Sequence, residues 1–150
     1  SGIFTPRISR HTISNAMDVG NPSNFARLNA IYKHDVNKMR GDIVGKSYTD
    51  DEVKTIVKEI HDKYSYTLDP HGAIGYMGLR DYLRESQDKN VNGVFLETAH
   101  PGKFCEDIEA ILGQKITLPE SLQHTLQKTK HSIKIAANLA SLKEFLFTQF

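Results

Sequence analysis

The apolar positions of this chain recur mostly at intervals of three and four, the spacing that aligns one face of a helix. The clearest run begins at Thr49-Asp50-Asp51-Glu52, where a hydroxyl is followed three residues later by a carboxylate. That is a capping box, in which each side chain can bond the other residue's backbone N–H. Val53, Ile56, Val57, Ile60 and Tyr64 then share one face, with Lys54, Lys58, Glu59 and Asp62 opposite. A second helix is predicted from Pro70, with Asp69 as its cap and Pro70 at the first position, where a missing N–H costs nothing. Ala73, Ile74, Met77 and Leu83 are its inward positions. The same logic, with Asn21 as cap and Pro22 first, predicts a helix to about Lys33 that carries Phe25, Leu28 and Tyr32. Val36 to Ser47 reads as a short helix and a loop. Phe104, Ile108, Ile111 and Leu112 form a helix closed by Gly113, Pro119 opens another, and Leu139, Leu142, Phe145 and Leu146 line a last amphipathic one.

The helical rhythm breaks in "GVFLETAHP", Gly93 to Pro101, an apolar run of strand length ending in polar residues and a proline. A strand that feeds a helix is the unit of an α/β sheet, so the fold class is α/β, helix-rich and with few strands. Ligands in such sheets gather outside the carboxyl ends of strands, where Glu97, Thr98 and His100 would lie. Gly72, Gly75 and Gly78 recur every third residue in the preceding helix. Each costs about 1 kcal/mol relative to alanine, so a helix or a sheet is expected to approach that stripe closely, a ligand being the alternative. The spacing is not the dinucleotide-binding fingerprint.

Composition narrows the function. At 150 residues, with no repeat, low-complexity tract or linker, the chain reads as a single segment with a real core. Its 19 basic and 18 acidic side chains nearly cancel, without the basic stripe of a nucleic-acid binder. No apolar run is long enough to cross a membrane and no signal core opens the chain, so a soluble, cytoplasmic protein is expected. The opening residues lack an initiator methionine and read as a cut from a longer polypeptide. The single cysteine, Cys105, lies at a helical core position beside carboxylates that disfavour a thiolate, which predicts an inert thiol. The seven histidines are scattered and show no ligand spacing, which argues against a metal site.

Two polar clusters could hold an anion or a heterocycle. In "SNAMDVGNPSNFAR", Asn21, Ser23 and Asn24 surround a helix amino terminus, and Arg27 can add full charge; a phosphate or carboxylate would fit there. Plain capping by Asn21 and Ser23, with Arg27 solvated, accounts for the same residues. In "ETAHP", Thr98 puts a hydroxyl at the end of the strand, where it either offers one aimed hydrogen bond or stabilises a turn.

The segments "TISNAMDVGNPSNFAR", "YTLDPHGAIGY", "FLETAHPGKF" and "ILGQKITLP" resemble, in order and spacing, those of threonine synthases, pyridoxal-phosphate enzymes of fold-type II, in the branch found in many bacteria and in fungi. The resemblance covers essentially the whole chain and implies the carboxyl-terminal portion of an enzyme that converts O-phosphohomoserine and water to threonine and phosphate. It implies that the cofactor-binding lysine and the loop cradling the cofactor phosphate lie in an amino-terminal part not included here. No lysine of this chain is then catalytic, and the segment alone is inactive. The absent lysine would shuttle protons on the substrate carbons while phosphate leaves from the γ carbon and water adds at the β carbon. Thr98 would be the hydroxyl that faces the cofactor's pyridine nitrogen. His71, His100, Asn21, Ser23, Asn24 and Arg27 would border the substrate cleft, and Asp69 would serve chiefly as a cap. The surface left bare by the absent part gives the segment a route to self-association. The competing reading is a free-standing, non-catalytic module that binds a phosphorylated small molecule or a protein.

Overall fold

A computed structural model describes residues 3–15, 19–87 and 90–149. Residues 16–18 of the polar loop, part of the first cluster's surroundings, lie outside that range. Among the described residues there are seven α-helices, one 3-10 turn and no strand: α1 Phe25–Tyr32, α2 Val36–Asp42, α3 Asp50–Tyr64, α4 Pro70–Glu85, the 3-10 turn Pro101–Phe104, α5 Cys105–Leu112, α6 Glu120–Leu126 and α7 Leu139–Gln149. The chain divides into two compact units, Ser1–Thr117 and Leu118–Phe150.

The first unit is built on α3, α4 and α5. Val53, Ile56, Val57 and Ile60 of α3 meet Ala73 and Met77 of α4, Ile108 of α5, and Leu68 from the intervening turn, all buried. The capping box forms in both directions: the Thr49 N–H donates to Glu52 Oε2 at 2.7 Å, and the Glu52 N–H donates to Thr49 Oγ1 at 3.4 Å. Tyr64, placed by its spacing on the buried face, is exposed, because α3 ends there and leaves the core. Helix α4 starts as expected, with Asp69 as cap and Pro70 first.

Helix α1 starts later than its proline suggests. Residues 22–24 form a turn in which the Phe25 N–H donates to the Pro22 carbonyl at 3.2 Å. Asn24, not Asn21, stands at the cap position, in helical geometry and without a side-chain cap bond. Helix α2 has a cap that its mixed composition conceals: Asp35 Oδ1 accepts from the Asn37 and Lys38 N–H groups at 3.0 and 3.1 Å.

The expected strand from Gly93 finds no ladder partner among the described residues, and a strand exists only through the hydrogen bonds of a neighbour. Its period-two alternation nevertheless survives. Phe95, Glu97 and Ala99 are half-buried, while Val94, Leu96 and Thr98 are exposed. The half-buried face lies on α4, where Phe95 meets Tyr76 edge-on with ring centroids 5.6 Å apart. The glycine stripe is only partly explained by this approach. A β-carbon at Gly72 would overlap the Glu97 carboxyl group, one at Gly75 would make ordinary contact with residues 95 and 96, and one at Gly78 would meet open space.

In the second unit, α6 follows Pro119 directly and α7 closes the chain. Leu139, Leu142, Leu146 and Phe147 of α7 are exposed.

Candidate functional site

The structure joins the 97–100 segment to the start of α4 through a buried acid. Asp69 is 0% exposed. Its Oδ1 accepts from the His71 N–H at 2.8 Å and lies 3.1 Å from His71 Nδ1, while Oδ2 accepts from the Ala99 N–H at 3.3 Å. Its own N–H donates to Glu97 Oε1 at 2.6 Å. Asp69 is therefore more than the cap expected of it, since it also anchors a segment some thirty residues further along the chain.

The other Glu97 oxygen, Oε2, is buried and receives no donor from the described residues. Burial pushes the Glu97 carboxyl up to about 7, the Asp69 N–H opposes this, and the Asp69 carboxyl adds to it. Asp69 moves the other way. Burial acts upward on it, but hydrogen bonds from Glu97, His71 and Ala99 outweigh that and hold it below the usual carboxylate range. Two acids in one pocket thus divide into one that holds its proton up to near-neutral pH and one that ionises well below it. Tyr66, in the turn before α4, is raised by burial and then by the charges of Glu97 and Asp69.

Around this pair the structure brings three predicted residues together. Thr98 is exposed, on the opposite face of the segment from Glu97. The His71 ring lies 5.2 Å from the Phe104 ring. His100 Nδ1 accepts from the Gly102 N–H at 3.0 Å and so caps the 3-10 turn, which leaves Nε2 to carry the proton of the neutral ring. The pattern carried one signal of the acid pair: alternation from Phe95 puts a glutamate on the inward face.

The first cluster occupies other elements. Asn21, Ser23, Asn24 and Arg27 are all exposed, on the turn before α1 and in its first turn. The segment before them packs alongside: the Arg7 N–H donates to the Gly20 carbonyl at 3.2 Å, a β-carbon at Gly20 would overlap the Arg7 carbonyl, and Phe4 stacks on Phe25 at 4.5 Å. Arg7, Arg10 and His11, which the sequence pattern did not single out, line a cleft of about 700 Å³ with Ser14, Ser47, Tyr48 and Thr49. Ser14 also reaches the second cluster's helix, its hydroxyl donating to the Pro70 carbonyl at 3.4 Å.

Cys105 is half-buried at the first position of α5 rather than in the core. Burial raises its thiol and Glu109 raises it further, which keeps it protonated. Among the described residues no group of three His, Cys, Asp or Glu side chains is placed to hold a metal ion.

Comparison with known proteins gives one family. The family described as "Threonine synthase, C-terminal" matches residues 72–146, half of the chain. Threonine synthase of Serratia marcescens is 36% identical over 146 residues, covering 97% of this chain and 33% of that protein. The crystal structure of threonine synthase from Escherichia coli superposes with a TM-score of 0.82 at 31% identity, covering 99% of this chain and 33% of the other. The pyridoxal-phosphate-bound threonine synthase from Brucella melitensis superposes at 0.62 with 25% identity, covering 94% of this chain and 35% of the other. The chain spans about a third of the length of the curated relatives it matches. The helix-rich segment, with its acid-anchored Thr98 turn, belongs to the threonine synthase family, in its carboxyl-terminal region.

Proposed function

We propose that this chain is the carboxyl-terminal part of a threonine synthase, a lyase of threonine biosynthesis that makes threonine and phosphate from O-phosphohomoserine and water. In this reading the chain forms one wall of a pyridoxal-phosphate pocket. The observation that supports it is the placement of Thr98: its hydroxyl lies on the exposed face of a segment whose other face is pinned to α4 through Glu97 and Asp69. A hydroxyl held on such a turn fits a pyridine nitrogen, because it can donate or accept a hydrogen bond without carrying charge. When bound, pyridoxal phosphate supplies an electron sink for the substrate's carbons. Thr98 would hold the ring nitrogen without requiring it to stay protonated, as an aspartate would.

The other cluster residues would bind substrate. Asn21, Ser23, Asn24 and Arg27 offer donors and one full positive charge, the chemistry that recognises a phosphate, with Arg7 and Arg10 close in the neighbouring segment. His71 and His100 would border the cleft. The lysine that binds the cofactor covalently belongs to an amino-terminal part of the same polypeptide, the main partner of this segment, so the segment alone should be inactive. The Gly93–Thr98 segment would join that part's sheet, which would cover the exposed Val94 and Leu96. The enzyme would work in the cytoplasm, and no described helix is long and apolar enough to cross a membrane.

Thr98→Val and Thr98→Ser in the full-length polypeptide test the assignment. Valine should lower turnover about 2- to 12-fold, the equivalent of one neutral hydrogen bond of about 0.5–1.5 kcal/mol, with folding preserved. Serine should keep most of the activity. Unchanged turnover in Thr98→Val would remove Thr98 from the cofactor site. A natural polypeptide no longer than this chain, binding inorganic phosphate without pyridoxal phosphate, would replace the enzyme by the non-catalytic module.

A further inference from the structure

We propose that Glu97 is a positioning residue that shares one proton with Asp69 across the joint between the 93–99 segment and α4, and so sets where the Thr98 hydroxyl stands. The role of Thr98 toward the cofactor rests on the functional reading above; the shared proton does not.

The geometry carries the argument. Glu97 Oε1 is already occupied by the Asp69 N–H at 2.6 Å, and Oε2 is buried with no donor offered to it by the described residues. A carboxylate oxygen cannot remain buried and bare without a large cost. Asp69 places its carboxylate on the His71 and Ala99 N–H groups and its own N–H on Glu97 Oε1, so both acids converge on one joint. The arrangement is satisfied when Glu97 keeps a proton and donates it to Asp69. One added proton completes both acids, whereas two ionised carboxylates in that place would repel each other. Gly72 shows that the position is built for the carboxyl group, since a β-carbon there would overlap it.

The joint is immediately adjacent to Thr98. The Glu97 side chain holds one side of it and the Ala99 N–H, bonded to Asp69, holds the other, so the backbone of residue 98 is fixed from both neighbours. The ionisable groups facing the pair are Tyr66 from the preceding turn and His71 from the first turn of α4. His100 is engaged by the 3-10 turn. Neither side chain is hydrogen-bonded to Glu97 Oε2, which among the described residues leaves proton sharing with Asp69 as its stabilisation.

The test uses the full-length polypeptide, with Glu97→Gln, which keeps a donor but cannot ionise, and Glu97→Ala, which removes the link. Infrared difference spectra between pH 5.5 and 8.5 should show a protonated-carboxyl band in the wild type that fades on the alkaline side and is missing in both variants. The dissociation constant for added pyridoxal phosphate should rise several-fold more steeply with pH in the wild type than in Glu97→Gln, and Glu97→Ala should bind about tenfold more weakly at every pH. A wild type without that band, or a Glu97→Gln variant with the wild-type pH slope, would overturn the proposal. If none of the three proteins bound pyridoxal phosphate, the functional reading and the positioning role would fall together, and the band alone would decide the shared proton.

Discussion

Substituting Gly72 by alanine should change sign with the residue at position 97. In isolation the change favours the helix by at most about 1 kcal/mol, because glycine is the poorer helix former. Gly72 is the third residue of α4, and the three atoms nearest a built β-carbon are all in the Glu97 carboxyl group. Glu97 is a flexible side chain and can swing aside, but doing so abandons the Asp69 N–H it accepts at 2.6 Å. Leaving a buried donor unpaired costs about 1–3 kcal/mol. Gly72→Ala should therefore destabilise the joint by about 1 kcal/mol in the wild type. In a Glu97→Ala background the obstacle and the bond are both gone, and the same change should stabilise it by a few tenths to about 1 kcal/mol. Hydrogen exchange of peptides spanning residues 69–75 and 95–99 in the full-length polypeptide reads local opening at the joint directly, without assuming two-state unfolding of a large protein. Equal effects in the two backgrounds, within the roughly 0.5 kcal/mol expected of independent sites, would refute the view that Gly72 exists to admit Glu97.

Two further outcomes test the core and the flank of the same unit. Ile108 is fully buried at the meeting of α5 with α3 and α4, so Ile108→Ala should cost about 2–5 kcal/mol, read as a fall in the denaturation midpoint of the transition that includes this unit. The Tyr48 hydroxyl donates to Asp81 Oδ2 at 2.8 Å, and burial followed by that bond pushes the phenol up to about 12. A raised phenol contributes stability that is whole below its ordinary value near pH 10 and is lost as pH rises toward 12. Tyr48→Phe should flatten stability across that window, and an ultraviolet titration should lose its most alkaline phenolate step. A wild type whose tyrosines had all ionised by pH 11 would contradict the assignment.

The sequence by itself determined what is local. A capping box, an Asp-Pro entrance and a closing glycine each act within one turn, so the starts of α3 and α4 and the end of α5 at Gly113, with φ of 69°, were legible from residue types alone. The α1 entrance misled for the same reason: a proline after a potential cap is equally at home in a turn, and the chain used it for one. Thr98 and His100 were legible as the polar end of one apolar run, and His71 as part of a separate Asp-Pro helix entrance. Tertiary structure alone decided that Asp69 and Glu97, 28 residues apart, would face each other, since no local rule links a cap to a distant inward glutamate. It also decided that only Gly72 of the three glycines receives a close neighbour. The segment from Gly93 kept the alternation of a strand without a ladder, because side-chain direction is local chemistry and pairing needs a second backbone, which these residues do not supply.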